Sequence, residues 1–126
     1  TGKMLDNAGA TTDAAVIKQY GAGTSNNQKW VVTYSNGYYK LSCVTGGKYL
    51  DSGGNTANGS NVLQWGNGSS PNQQWTIVDL GTGYFKVFNR NNMKCLDSGG
   101  GTADGSGMQF WPTGGGYNQQ WSFVAP

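Results

Sequence analysis

A tetrapeptide that ends in tryptophan occurs three times in this chain of 126 residues. The copies are Asn27-Gln28-Lys29-Trp30, Asn72-Gln73-Gln74-Trp75 and Asn118-Gln119-Gln120-Trp121. The tryptophans lie 45 and 46 residues apart, and each lies 24 residues after the aspartate of a Leu-Asp pair. Because a fixed period is typical of repeat architectures, the sequence predicts a single domain, 1–126, in which one unit is used three times. The approximate repeats are 1–36, 37–81 and 82–126.

Each repeat has the composition of a β structure. Glycine accounts for 22 residues, and the apolar residues come in short runs with β-branched or aromatic members. A first strand is predicted at 38–43 and 84–89, and a second at each Leu-Asp pair. The predicted third strands end at an aromatic residue, and the fourth begin at the repeated tryptophan. The third strands are Val16 to Tyr20, Val62 to Trp65 and Met108 to Trp111, and the fourth are 30–32, 75–78 and 121–124.

The strand count indicates how three such units close. The chain opens directly on a second strand, so eleven strands can be counted instead of twelve. Either the fold leaves a gap or the missing strand belongs to sequence before Thr1, and we expect the domain to come from a longer chain. Propeller blades have similar length but at least four are usual. We therefore predict an all-β fold, a β-trefoil, in which a six-stranded barrel is capped by three hairpins.

The turns between the second and third strands differ among the repeats. Asn58-Gly59 and Asp104-Gly105 are strong turn dipeptides, whereas Asp13-Ala14 is a weaker turn signal at the same place.

Charged residues follow the same period, because a lysine lies three residues before each Leu-Asp aspartate. These lysines are Lys3, Lys48 and Lys94.

The inventory of reactive side chains argues against catalysis. The chain has no histidine, and all six acidic residues are aspartates. Without histidine there is no Ser-His or Cys-His dyad and no imidazole ligand for a metal. Repeated aspartates spread around a threefold axis are also unsuited to the paired carboxylates of a glycosidase. We expect no enzyme activity, no cofactor and no metal site.

The remaining composition excludes several classes of partner. The net charge of +2 and the lack of a basic run argue against nucleic acid, and no apolar run is long enough to span a membrane. Cys43 and Cys95 hold different positions within the repeat. We expect two free thiols, with a disulfide as the alternative.

Three features that recur in register carry a resemblance to a known family. They are Leu-Asp-x-x-Gly, an aromatic residue fourteen positions after the aspartate, and Asn-Gln-x-Trp. The chain resembles the ricin B-type lectin domains and, more narrowly, the family 13 carbohydrate-binding modules of bacterial glycoside hydrolases. The resemblance implies a β-trefoil with up to three sugar sites and no catalysis. It also implies a secreted or extracellular, monomeric module that targets an attached glycoside hydrolase to glycans containing galactose, arabinose or xylose.

The resemblance assigns ten candidate ligand-binding residues to three sites. The first site is Asp6, Tyr20 and Asn27; the second is Asp51, Trp65 and Asn72; the third is Asp97, Gln109, Trp111 and Asn118. In each site the aromatic ring would stack on a sugar face, while the aspartate and asparagine would bind hydroxyls. Weak single sites on one rigid scaffold would gain avidity for a polymer.

The sites depart from the family pattern to different degrees. A glutamine often lies two residues before the aromatic, and only Gln109 fits, because Lys18 and Leu63 hold the equivalent places. The third site therefore matches best and the first least. The ricin-type disulfide would join the residue two positions before the aspartate to a cysteine just after the aromatic. Cys95 holds the first position, but Pro112 and Thr113 follow Trp111, so this disulfide would be absent.

Several of these residues also have a structural interpretation. The repeated tryptophans Trp30, Trp75 and Trp121 suit the barrel core, and the glutamines that precede them would tie local backbone. An aspartate before a glycine-rich turn can satisfy its own loop, but we expect nothing local to require an acid three times, since asparagine or serine would serve such a turn. The alternative function is a structural or protein-interaction trefoil with vestigial sugar sites, and an enzyme is the least favoured.

Overall fold

The computed structural model describes residues 1–126, and it shows an all-β trefoil built from ten strands. The strands are β1 (Met4–Asp6), β2 (Lys18–Tyr20), β3 (Trp30–Ser35), β4 (Tyr38–Cys43), β5 (Tyr49–Asp51), β6 (Leu63–Trp65), β7 (Trp75–Asp79), β8 (Phe85–Asn89), β9 (Cys95–Asp97) and β10 (Gln109–Trp111). Three one-turn 3₁₀ helices precede the repeated tryptophans, at Asn26–Gln28, Pro71–Gln73 and Tyr117–Gln119. No helix is long or apolar enough to cross a membrane.

Long antiparallel pairs form the barrel. Strand β3 pairs with β4 and β7 with β8, and β4 also joins β7 through a Tyr39–Trp75 bridge. The predicted eleventh strand at 121–124 is not formed, because Trp121 makes only an isolated bridge to Phe85 and residues 122–124 have no ladder partner. The other edge of β3 has no partner strand either.

Three short hairpins, β1–β2, β5–β6 and β9–β10, cap the barrel. They meet in a closed ring of backbone hydrogen bonds at three fully buried residues. The amide of Ile17 donates to Val62, that of Val62 donates to Met108, and that of Met108 donates to Ile17, at 2.8–3.0 Å. Because each hairpin satisfies its neighbour's backbone groups in the apolar interior, this ring marks the pseudo-threefold axis.

The core contains the apolar residues that the repeat pattern placed inside. Trp75, Leu50 and Leu96 are buried, while Trp30 and Trp121 are half-buried and pack against the core cluster. Each repeated tryptophan donates its indole N–H to the carbonyl of the leucine before the site aspartate, at 3.0–3.1 Å. The core interpretation of these tryptophans is thus confirmed for Trp75 and holds in part for the two others.

The core departs from threefold symmetry at the middle residue of the second strand of each hairpin (β2, β6 and β10). Phe110 is fully buried and stacks on Trp75, with ring centroids 5.7 Å apart. The equivalent residues are Gln19 and Gln64, which are also buried but donate to loop carbonyls of the preceding repeat in the ring. A buried amide is tolerated here because its donors are satisfied.

Both cysteines are buried free thiols, as expected from their positions in the repeat. Burial is the main reason that the pKa of Cys43 is raised to about 11, and burial also raises the pKa of Cys95. The thiol of Cys43 lies 3.3 Å from the carbonyl oxygen of Asn27. Asn89 holds the equivalent place in the next repeat, and its side-chain amide donates to the backbone carbonyl of Asn72 at 2.9 Å.

Candidate functional site

The structure brings together the predicted aspartate, aromatic and asparagine in the first two sites. Asp6, Tyr20 and Asn27 line a shallow cavity of about 190 Å³. Asp51, Trp65 and Asn72 line a larger one of about 320 Å³, together with the loop that follows Trp65. In the third site, Asn118 lies next to Gly100 and Gln109 pairs with Asp97 across the β9–β10 hairpin.

The hairpin register explains why aspartate and aromatic share one site. Asp6, Asp51 and Asp97 are paired with Lys18, Leu63 and Gln109, two residues before each aromatic. Residues i and i+2 of a strand project to the same face, so the aromatic lies on the same face as the residue opposite the aspartate. The asparagine is brought to the site by a backbone hydrogen bond, because its carbonyl oxygen accepts from the N–H of the residue that follows the aspartate.

Each site aspartate is buried and held by two hydrogen bonds. In the second site the backbone N–H of Gly53 donates to Asp51 Oδ1 at 2.6 Å, and Gln73 Nε2 donates to Asp51 Oδ2 at 2.9 Å. Asp6 and Asp97 accept from the same two positions of their own repeats. A carboxylate has about four acceptor positions, so each retains capacity for a ligand.

The glutamine of each Asn-Gln-x-Trp motif fixes the orientation of its aspartate. Gln73 Oε1 accepts from Gly68 N–H at 2.9 Å, while Nε2 also donates to the carbonyl of Gly66 at 2.7 Å. With the amide held in this orientation, only an acceptor suits the position that Asp51 Oδ2 occupies. The expectation that nothing local requires an acid is therefore wrong, because both oxygens of Asp51 accept, from Gly53 N–H and from Gln73 Nε2, and an asparagine would present its NH₂ to one of these two donors. These contacts confirm the prediction that the glutamines tie local backbone.

The asparagine side chains are different, because they make no hydrogen bonds within the protein. Only the backbone groups of Asn27 and Asn72 are used, in the 3₁₀ turn and across to the aspartate strand. The glycine of Leu-Asp-x-x-Gly lies against each amide: a Cβ at Gly54 would be 3.7 Å from Asn72 Nδ2, and one at Gly100 would be 3.4 Å from Asn118 Nδ2. These glycines adopt positive φ and leave the amides open to a ligand.

The aromatic residues of the second and third sites are exposed. Trp65 is 41% and Trp111 is 45% exposed, although each follows a fully buried residue. Alternation along the strand buries Phe110 and exposes Trp111. Exposed tryptophan faces that border buried carboxylates and free amides are suited to an amphipathic ligand with one apolar face.

The sites are not equal. Gln109 lies against Gly99 of the third site, at 3.3 Å from the Cβ position. The side chains of Gln19 and Gln64 instead point into the interior, so they cannot replace it at the first two sites. The first site has a half-buried tyrosine for the exposed tryptophan of the other two.

Two lysines from the barrel strands hold the loops that follow Trp65 and Trp111, and sequence reasoning had not identified them. Lys40 Nζ donates to Asn67 and to the carbonyl of Gly68, and Lys86 Nζ donates to Thr113 and to the carbonyl of Gly114. The loop of the first site, after Tyr20, has no such lysine contact. The signal available was that both lysines occupy the same place in the first strand of their repeats.

Comparison with known families and structures agrees with this geometry. A family profile described as "Ricin-type beta-trefoil lectin domain-like" matches residues 1–65, 26–111 and 71–126. No curated protein matches the sequence at a significant level.

Among solved structures, the designed threefold-symmetric protein ThreeFoil is 40% identical, with a TM-score of 0.95 over 99% of this chain and 92% of its own. A Macrolepiota procera ricin B-like lectin, solved in complex with lactose, is 25% identical, with a TM-score of 0.85 over 99% of this chain and 88% of its own. The exo-β-1,3-galactanase 1,3Gal43A from Clostridium thermocellum is 28% identical, with a TM-score of 0.83 over 97% of this chain and 29% of that enzyme.

Proposed function

Because this chain belongs to the ricin-type β-trefoil lectin domain-like family, we propose that it is a non-catalytic carbohydrate-binding module whose three sites engage a polysaccharide or glycan. The observation that carries this proposal is the composition of each site. In the first two sites a buried carboxylate with spare acceptor capacity, an amide with no internal partner and an aromatic ring surround one shallow opening, and the third repeat carries the same three residue types. A pyranose ring has the matching chemistry, since it joins an apolar C–H face to an edge of hydroxyl groups.

Glycans that contain galactose, arabinose or xylose are the proposed ligands. The similarity to a lectin solved with lactose and to part of a β-1,3-galactanase favours galactose first. The galactanase also supports a targeting role, because this chain spans only 29% of that enzyme. We propose that the module keeps an attached glycoside hydrolase near its substrate outside the cell, and that it acts as a monomer.

The aspartates are unsuitable as the first test of this function. Removing Asp51 or Asp97 would also release the glutamine and loop that each holds, so a loss of binding would have two explanations. Trp65 and Trp111 are better targets because they are exposed, and Asn72 is better because its amide has no internal contact. Substitution of these residues removes ligand contacts and leaves the aspartate network intact.

The test is affinity electrophoresis in gels that contain arabinogalactan, galactan or arabinoxylan, with titration calorimetry on lactose. We expect wild-type protein to be retarded by at least one polymer, and Trp65→Ala with Trp111→Ala to remove most of the retardation. Tyr84→Ala is the matched control, since Tyr84 is 47% exposed and lies outside the sites. Equal retardation of the double variant and the wild type would refute the site assignment. No binding to any glycan at millimolar concentration would instead favour a structural or protein-interaction trefoil.

A further inference from the structure

In each repeat a loop begins at the residue after the site aromatic, and in two repeats the first backbone amide of this loop is bound by another repeat; at the second site the loop also lines the cavity. The N–H of Gly66, next to Trp65, donates to Asp13 Oδ1 at 3.0 Å. The N–H of Gly21, next to Tyr20, donates to Asp104 Oδ1 at 2.9 Å. These contacts join residues 53 and 83 positions apart in the chain. The loop of the second site thus depends on the first repeat, and that of the first site on the third repeat.

The same carboxylate oxygen also binds a lysine from the other side of the site. Lys48 Nζ lies 2.6 Å from Asp13 Oδ1, and Lys3 Nζ lies 2.6 Å from Asp104 Oδ1. Lys48 precedes Asp51 by three residues, and Gly66 follows Trp65 directly. Asp13 therefore connects the two segments that carry the carboxylate and the aromatic ring of the second site, without lining that cavity itself.

The third site lacks this connection, and both partners have changed. Pro112 follows Trp111 and has no N–H to donate, and the residue equivalent to Asp13 and Asp104 is Asn58. The lysine of this repeat, Lys94, donates to the backbone carbonyl of Thr56 instead of to a carboxylate. An aspartate of the neighbouring repeat faces each of the two loops that begin with a backbone N–H donor, whereas the loop that begins with Pro112 has no such donor and its neighbouring repeat carries Asn58 instead.

We infer that Asp13 and Asp104 are positioning residues for the second and first sites, respectively, so that each of these two binding sites is shared between two repeats. This inference rests on the proposed carbohydrate-binding function. Both side chains are exposed, and exposed ion pairs contribute little to global stability. Their effect is on the order and position of the loop at Gly66 or Gly21. The third site is independent of both, since the rigid ring of Pro112 starts its loop.

Binding is measured in proteins that retain one site. Tyr20→Ala with Trp111→Ala leaves the second site, and Tyr20→Ala with Trp65→Ala leaves the third. In the second-site background we expect Asp13→Ala to weaken lactose binding at least fivefold by calorimetry. Asp13→Asn retains an oxygen acceptor for Gly66 N–H and should recover part of the loss. Asp104→Ala should leave this site unchanged.

Asn58→Ala in the third-site background is the matched control, because Asn58 holds the same repeat position without the contact, and we expect unchanged affinity. Equal loss of affinity in the second and third sites on Asp13→Ala would overturn the inference, because it would indicate general destabilisation. Unchanged affinity of the second site would overturn it as well.

A second readout needs no sugar, and it separates this inference from the proposed function. Amide exchange measured by NMR should accelerate at Gly66 in Asp13→Ala and at Gly21 in Asp104→Ala. Gly21 should be unaffected in Asp13→Ala, and Gly66 should be unaffected in Asp104→Ala. If wild-type protein binds no glycan, the proposed function fails, while faster exchange confined to the expected loop still supports the positioning role. Unchanged exchange at Gly66 in Asp13→Ala contradicts it.

Discussion

Gln73 Nε2 lies 2.9 Å from Asp51 Oδ2, and both side chains are buried at the base of the second site. The contact joins the repeated Asn-Gln-x-Trp motif to the Leu-Asp pair, 22 residues earlier. Because Gln73 also bonds to Gly66 and Gly68, a single amide fixes the carboxylate and one wall of the cavity. The motif and the pair are thus two halves of one hydrogen-bonded unit that occurs in all three repeats.

Gln73→Ala should destabilise the protein because it leaves buried polar groups without partners. Loss of such a partner costs about 1–3 kcal/mol, and we expect a decrease of that size in the free energy of unfolding in urea. Gln74→Ala is the control: the side chain of Gln74 hydrogen-bonds only to the exposed Arg90 side chain, so its effect should be within about 0.5 kcal/mol. Equal effects of the two substitutions would contradict the assigned network.

Phe110 and Trp111 are adjacent but should respond to truncation in opposite ways. Phe110→Ala removes a fully buried ring that stacks on Trp75, and we expect a loss of about 3–5 kcal/mol in unfolding free energy. Trp111→Ala should change stability by less than about 1 kcal/mol while it weakens glycan binding at the third site. Urea unfolding with calorimetry on folded protein checks both, and a large stability loss for Trp111→Ala would show that its ring belongs to the core.

Ala14 adopts φ +68°, where the two other repeats have Gly59 and Gly105. A left-handed conformation costs a residue with a side chain about 1–2 kcal/mol, and glycine adds about 0.5–1 kcal/mol of unfolded-state entropy. Ala14→Gly should therefore stabilise the protein by about 0.5–1 kcal/mol. Ala15→Gly, at the next residue, should destabilise it by a similar amount, and thermal unfolding of the pair would reveal the opposite signs.

The buried thiols should react slowly in the folded protein. Burial raises the pKa of Cys43 from an ordinary 9.0 to about 11, which lowers the thiolate fraction at pH 8 about a hundredfold. We expect slow labelling by iodoacetamide in buffer and rapid labelling of both cysteines in urea, followed by mass spectrometry. Fast labelling of folded protein would show that these thiols are accessible.

The same shift sets a direction for stability at high pH. Because the folded pKa of Cys43 exceeds the ordinary one, the unfolded chain loses its proton first as pH rises above about 9. This thiol's contribution to stability is therefore fully present below pH 9 and is lost as pH approaches 11. Cys43→Ala should reduce the decline in unfolding free energy across that interval, relative to wild type at matched pH.

The sequence by itself determined the repeat and the fold. A period of 45–46 residues puts equivalent residues at equivalent places, so the repeated tryptophans could be assigned to the core, whereas the candidate ligand residues came from the resemblance to ricin B-type lectin domains. Alternation within a strand requires that Phe110 and Trp111 face opposite ways, because that property is local, but only the structure shows that Phe110 is the buried one.

Tertiary structure decided what joins the repeats to one another. The sequence does not reveal that Gln19 and Gln64 turn inward to bind loops of another repeat, or that Asp13 anchors Gly66 across 53 residues. It also predicted a strand at 121–124 that the structure does not form, since a strand needs a neighbouring ladder and not only β-forming residues. Such contacts arise when three hairpins close around one axis, and local periodicity carries no information about which repeat supplies the partner.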